Sequence, residues 1–97
     1  MEIIIECDLL KKKGNEMIEK SKQLENKINN LSNEIDVISN SWNSDTGRAY
    51  VKMLQEKFIL PLQNLKAMLE KKGNFLVSTA KVYSLFEEYY YNTKIID

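Results

Sequence analysis

Apolar positions fall at helical spacing in two long runs, separated by a short cluster of turn-forming residues. From Leu10, alternate steps of four and three residues meet Leu10, Gly14, Met17, Ser21, Leu24, Ile28, Leu31, Ile35, Ile38 and Trp42, and eight of these ten are apolar. A seam sustained over that length predicts one long helix, from about residue 9 to 40, whose narrow apolar face packs on other helices. It would be about 48 Å long at 1.5 Å per residue. Asp8 is placed to cap its start, with Ile3 to Ile5 as an extended lead-in. Gly14 and Ser21 are the two small residues on the seam, which suggests close backbone approach at that end.

The second run carries Tyr50, Met53, Leu54, Phe58, Leu62, Leu65, Leu69, Leu76, Ala80, Tyr83 and Phe86, again at helical spacing. Pro61 lacks an N–H, so a kink is expected there, with the phase of the stripe surviving across it. The polar segment "EKKGN" at 70–74 also resembles a helix C-terminus, which leaves a three-helix reading open. Continuity of one face through Leu69, Leu76, Ala80 and Tyr83 favours a single bent helix over 46–90, followed by a flexible tail at 91–97. Between the runs, Asn40, Ser41, Asn43, Ser44, Asp45 and Thr46 compete with the helix for backbone hydrogen bonds and place a turn at 41–45. Trp42 extends the first seam, so its ring should close the end of the helical layer, while Ser44 or Asp45 caps the second helix. Gly47 and Ala49 leave room beside the ring.

The pattern therefore describes an all-α fold, a single antiparallel helix-turn-helix hairpin over 1–97. Its seam holds Leu24, Ile28, Leu31, Ile35 and Ile38 on the first helix, and Leu54, Phe58, Leu62, Leu65 and Leu69 on the second. Two helices cover only part of each other's apolar stripes, and each residue left uncovered forgoes about 1.5–3 kcal/mol of burial. A partner hairpin, completing a four-helix bundle, is the simplest remedy.

Composition narrows the function. A chain of 97 residues can bury only a thin core. Fourteen basic and fourteen acidic residues cancel, so no overall field draws the chain to nucleic acid or an anionic membrane. There is no histidine, and the single Cys7 permits no internal disulfide; neither a catalytic constellation, a metal site nor a cofactor is expected. No run approaches the roughly 20 apolar residues of a membrane span, so no membrane insertion is expected, and the N-terminal pattern is not that of a cleavable signal peptide. "KKK" at 11–13 reads as a solvated helix face, given Glu16 and Glu19 nearby. "YYYN" at 89–92 follows Glu87 and Glu88, which suits docking on a partner chain better than stacking on bases. Glu34, Asp36 and Asp45 read as solvated and capping acids. Glu16 with Lys20 and Lys52 with Glu56 are spaced for weak surface pairs.

With the turn in place, the chain resembles the WXG family, ESAT-like helical hairpins of about a hundred residues exported by type VII secretion systems. In that family the turn reads Trp-Xaa-Gly, followed by small residues and an aromatic one turn into the second helix. Here Trp42, Asn43 and Ser44 occupy the motif, Gly47 and Ala49 are the small residues and Tyr50 the aromatic. Ser44 stands where the family has glycine. A tyrosine followed four positions later by an acid marks the family's export signal, and Tyr83 with Glu87 fits it. The resemblance implies a secreted, non-enzymatic dimer that pairs with itself or a related hairpin and engages the secretion-system ATPase. It also admits a helical targeting partner for the N-terminal domain of a larger LXG-type toxin, since such partners often have degraded turn motifs. The heptad seam alone would equally suit an intracellular coiled-coil adaptor. Richness in asparagine, lysine and isoleucine is in keeping with a low-GC Gram-positive bacterium.

Overall fold

The computed structural model describes residues 6–96. The extended lead-in expected at Ile3 to Ile5 lies outside them. Helix α1 spans Cys7–Ser41, α2 spans Asp45–Leu54, a single π-helical turn covers Gln55–Ile59, and α3 spans Leu60–Ile96; no strand occurs among the described residues. Contacts divide the chain into two compact units, Lys20–Leu69 and the segments up to Glu19 and from Glu70 onward.

The Lys20–Leu69 unit is a helix-turn-helix. Its core is Ile28, Ile35, Val51 and Ile59, with Leu24, Leu31, Ile38, Leu54 and Leu62 packed around it. Every α1 residue in this list lies on the seam read from the sequence, because an uninterrupted helix keeps its period. Ser21, on the same seam, is almost completely buried. Lys66, on the inner stripe of α3, directs its ammonium to Glu25 on α1 at 3.8 Å, with its stem lying along the apolar face.

The second arm of the hairpin departs from the expected phase. Pro61 offers no N–H, and in a regular α-helix its ring would collide with the carbonyl four residues earlier, that of Lys57. The chain opens a wider turn instead: the Leu60 N–H bonds to the Gln55 carbonyl, five residues back. This extra residue rotates everything after it by about 100° relative to the stripe before it. Buried and half-buried positions run Gly47, Val51 and Leu54 before the turn, and Ile59, Leu62, Lys66 and Leu69 after it. Phe58 and Leu65, expected on the hairpin seam, are 51% and 44% exposed, and Ile59, which the regular period misses, takes the core place. The phase shifts where it was expected to survive.

In the terminal unit, the first turns of α1 pack on α3. Gly14 and Gly73 face each other so closely that a Cβ on either would fall 2.7 Å from the other's carbonyl oxygen. Neither has a positive φ, so what these positions require is the missing side chain and not unusual backbone. Gly73 thus sits inside a continuous helix, and the C-terminus that "EKKGN" mimics is not formed. Ala80 completes the contact as a small buried residue. Leu10, Met17, Leu76 and Tyr83 are half-buried beside it. α1 starts one residue before Asp8, which lies in its first turn where a carboxylate favours the helix dipole. α3 runs to Ile96, past the end expected near residue 90, since no glycine or proline interrupts 91–96.

The register can be checked by paired truncations. Ile59→Ala should lower unfolding free energy by about 2–4 kcal/mol, and Phe58→Ala by less than half as much, in urea titrations followed by circular dichroism. A larger loss at Phe58 would restore the uninterrupted period.

Candidate functional site

Two features carry the sequence-predicted functional residues. The first is the turn of the Lys20–Leu69 unit. α1 closes with the Trp42 N–H on the Ile38 carbonyl at 2.9 Å, and the Ser41 hydroxyl donates to the Val37 carbonyl at 2.8 Å. Ser44 then leaves the helix in extended geometry, with φ −144° and ψ 168°, and its Oγ accepts the Gly47 N–H at 3.0 Å. This is an N-cap for α2, and of the two residues proposed for it Ser44 makes the bond. Any residue adopts that backbone geometry, so a glycine is not required at this position, and serine adds a hydrogen bond that glycine lacks.

Trp42 lies over Gly47: a Cβ there would come within 2.7 Å of the indole Cγ and would strike the Trp42 carbonyl oxygen. The ring also meets Tyr50, with centroids 5.5 Å apart and planes tilted by 46°. It remains 42% exposed, so part of the ring stays open to solvent. Arg48 straps the turn from outside, donating to Asn43 Oδ1 at 3.0 Å and pairing with Asp45. The sequence reading missed Arg48; its signal was the placement of a long cation three and five residues after two turn residues with acceptor side chains.

The second feature lies on α3. Tyr83 is half-buried and Glu87 exposed, and both line one shallow groove with Phe86, Tyr90 and Tyr91. Their spacing of four thus brings the two residues onto a common surface. Glu87 also acts across to α1. Partial burial, the charge of Glu87 and the charge of Asp8 push the Cys7 thiol above its ordinary value, so at neutral pH it is protonated and a poor nucleophile. Among the described residues no three His, Cys, Asp or Glu side chains gather in a metal-binding arrangement, and no helix is long and apolar enough to cross a membrane. Of the expected surface pairs, Lys52 and Glu56 meet at 3.9 Å. Glu16 pairs instead with Lys13, at 3.5 Å.

The Lys20–Leu69 unit is thus a helix-turn-helix with a capped tryptophan turn, and α3 carries an aromatic and acidic groove near its end. Residues 2–88 match the WXG100 family, proteins of 100 residues with WXG, and the chain belongs to that family. Its proteins are small, helical and associated with type VII secretion, and they are not enzymes. No curated protein and no solved structure matches the chain.

Gly47→Ala, a change that favours an exposed helix by up to about 1 kcal/mol, should here destabilise by more than that, because the ring and carbonyl of Trp42 must move. Ser44→Ala should lose about 1 kcal/mol and Ser44→Gly only a few tenths, all read by urea unfolding. For Cys7, alkylation at fixed neutral pH should be slower than for a free thiol. Glu87→Gln removes one of the charges that raise the thiol and should speed it; an unchanged rate would leave Glu87 without influence there.

Proposed function

We propose that this chain is a non-enzymatic substrate of a type VII secretion system, exported as a pair of helical hairpins, with Tyr83 and Glu87 as the residues the apparatus reads. The observation that carries the reading is the shared groove: in a chain of this family, an exposed acid and a half-buried tyrosine lie together on the last helix, ringed by Phe86, Tyr90 and Tyr91. An adaptor protein meeting them sees one aromatic and one anionic contact at fixed spacing, which a single pocket with a cation at its edge can recognise. The secretion ATPase is the partner we assign to that groove.

Pairing is supported by apolar exposure. Tyr50, Met53, Phe58, Leu65 and Met68 in one unit, and Phe75, Val82 and Phe86 in the other, all remain solvent-accessible in the lone chain. A related hairpin would cover such residues, and so would the helical N-terminal domain of an LXG-type toxin, which is the second reading.

Export is tested by the amount of protein in culture supernatant and lysate of the native host, with and without the secretion ATPase. Glu87→Ala and Tyr83→Ala should each reduce the exported fraction at least tenfold while the cellular pool stays helical. Retention in the cell in every strain would leave a helical adaptor with the family's architecture and no export role.

A further inference from the structure

The wide turn at Gln55–Ile59 interrupts the second arm of the Lys20–Leu69 unit and leaves backbone groups unmatched. In α geometry each amide reaches four residues back, and in the wide turn five. Entering a wide turn therefore sets two successive amides on one carbonyl, and leaving it skips one. Here the turn closes with the Leu60 N–H on the Gln55 carbonyl, just before Pro61. The proline's missing N–H then falls after the turn and leaves a further carbonyl, that of Glu56 or Lys57, without an amide. The side chains are unevenly matched as well. Ile59 is buried while the larger Phe58 is 51% exposed. Beside Ile35 and Ile59 lies a hollow of ≈ 360 Å³, open between Ser32, Gln55 and Gln63, with room for an aromatic ring.

We propose that this turn is one position of a two-position register switch, and that in the other position the wide turn spans Pro61, with the Leu62 N–H on the Lys57 carbonyl. Two observations support it. The first is the backbone. With the turn moved, the Leu60 N–H returns to the Glu56 carbonyl in α geometry, and Pro61 stands where a second amide would have shared that carbonyl. Its missing N–H then deprives no carbonyl of a partner, and the Lys57 carbonyl is drawn past the proline ring to Leu62. The second is packing. Only the residues between the two positions of the turn change phase, by about 100°. From Val51 and Leu54 the α2 stripe then continues to Phe58, whose ring enters the hollow against Ile35, while Ile59 turns to the flank that Leu60 now holds, 52% exposed. Leu62, Lys66 and Leu69 keep their faces, because the inserted residue still precedes them. One register buries the β-branched residue; the other satisfies one more carbonyl and fills the hollow. These gains oppose each other and set the two registers close in free energy. The switch exchanges the apolar residue shown on the outer flank, Phe58 for Ile59, without unfolding either arm, so whatever docks on that flank selects a register. It is independent of the export reading.

The test is NMR of the full chain with isotope-labelled isoleucine methyls and fluorine-labelled phenylalanine. Helix register shifts run on the μs–ms timescale, so the Ile35 and Ile59 methyls and the Phe58 fluorine should show relaxation dispersion at one common rate, with a minor population of about 1–10%. The Ile28 methyl, further along α1, should stay flat. Phe58→Gln removes the ring that enters the hollow and should abolish the dispersion at Ile35 with helicity unchanged. Ile59→Thr suits the exposed flank and should make the second register the major one, so that the solvent isotope shift of the Phe58 fluorine falls by about half or more as the ring enters the core. Flat profiles in the parent chain, dispersion at Ile35 that persists in Phe58→Gln, or a folded Ile59→Thr chain whose Phe58 stays open to solvent would each overturn the proposal. Should Ile59→Thr lose helicity, the parent and Phe58→Gln decide, since Phe58 is half exposed in the present register and its replacement leaves the core intact.

Discussion

The missing N–H of Pro61 is the constraint from which most of the side-chain arrangement in the Lys20–Leu69 unit follows. A helix carrying proline can kink, lose a turn or add a residue to the turn before it. Adding a residue keeps the Leu60 N–H bonded, to the Gln55 carbonyl, and moves the obstructing carbonyl away from the ring. The consequence is rotational. A seam that steps by three and four from Val51 would reach Phe58, and the inserted residue delivers Ile59 instead. The larger aromatic is turned out of the hairpin and the β-branched residue is turned in. One absent hydrogen atom thus decides which residues are core and which are available to other chains.

The terminal unit is governed by a different constraint, the Gly14 and Gly73 approach. With a carbonyl oxygen 2.7 Å from where either Cβ would stand, both positions must be bare. Glycine inside a helix costs about 1 kcal/mol relative to alanine, and two such positions on facing helices make sense only if the close contact returns more than that. It does so by bringing Ile18 and Val77 within van der Waals reach of the opposite backbone. Close packing through small residues leaves the larger ones elsewhere: on α3 they are spread around the helix, and Phe75, Val82, Leu85 and Phe86 stay exposed. A monomer with so much accessible apolar surface gains stability whenever a partner covers it, so its apparent stability should depend on its own concentration or its partner's.

How much of this was legible depended on whether local rules were interrupted. α1 was readable position by position, from Leu10 to Ile38, because nothing breaks its period over 35 residues. The turn was readable because its polar residues favour turn and cap geometry over helix, and Ser44, one of the two candidate caps, makes the bond to the Gly47 N–H. After Leu54 the reading slipped by one residue. Proline announces an irregularity, but whether the chain kinks or inserts a residue depends on which phase buries better side chains, and that requires knowing the opposing helix. Gly73 illustrates the same limit. As a local signal it looks like a helix end, and only the presence of Gly14 across from it reveals a crossing point. In the candidate site, the spacing of Tyr83 and Glu87 placed them on one surface, but their aromatic surround and the influence of Glu87 on Cys7 come from tertiary packing.

Ser44 stands where the family's turn has glycine, and the turn it forms has no need of one. The position is extended, so no left-handed backbone has to be accommodated. The space that the tryptophan needs is supplied three residues later by Gly47, against which the ring lies. The requirement for an absent side chain therefore resides at Gly47, and the requirement at position 44 is for a residue that can start a helix. Serine meets that requirement better than glycine through its hydroxyl, and Arg48 adds an outer clasp from Asn43 to Asp45. A turn fixed from both sides holds Trp42 and Tyr50 in contact while leaving part of the indole exposed.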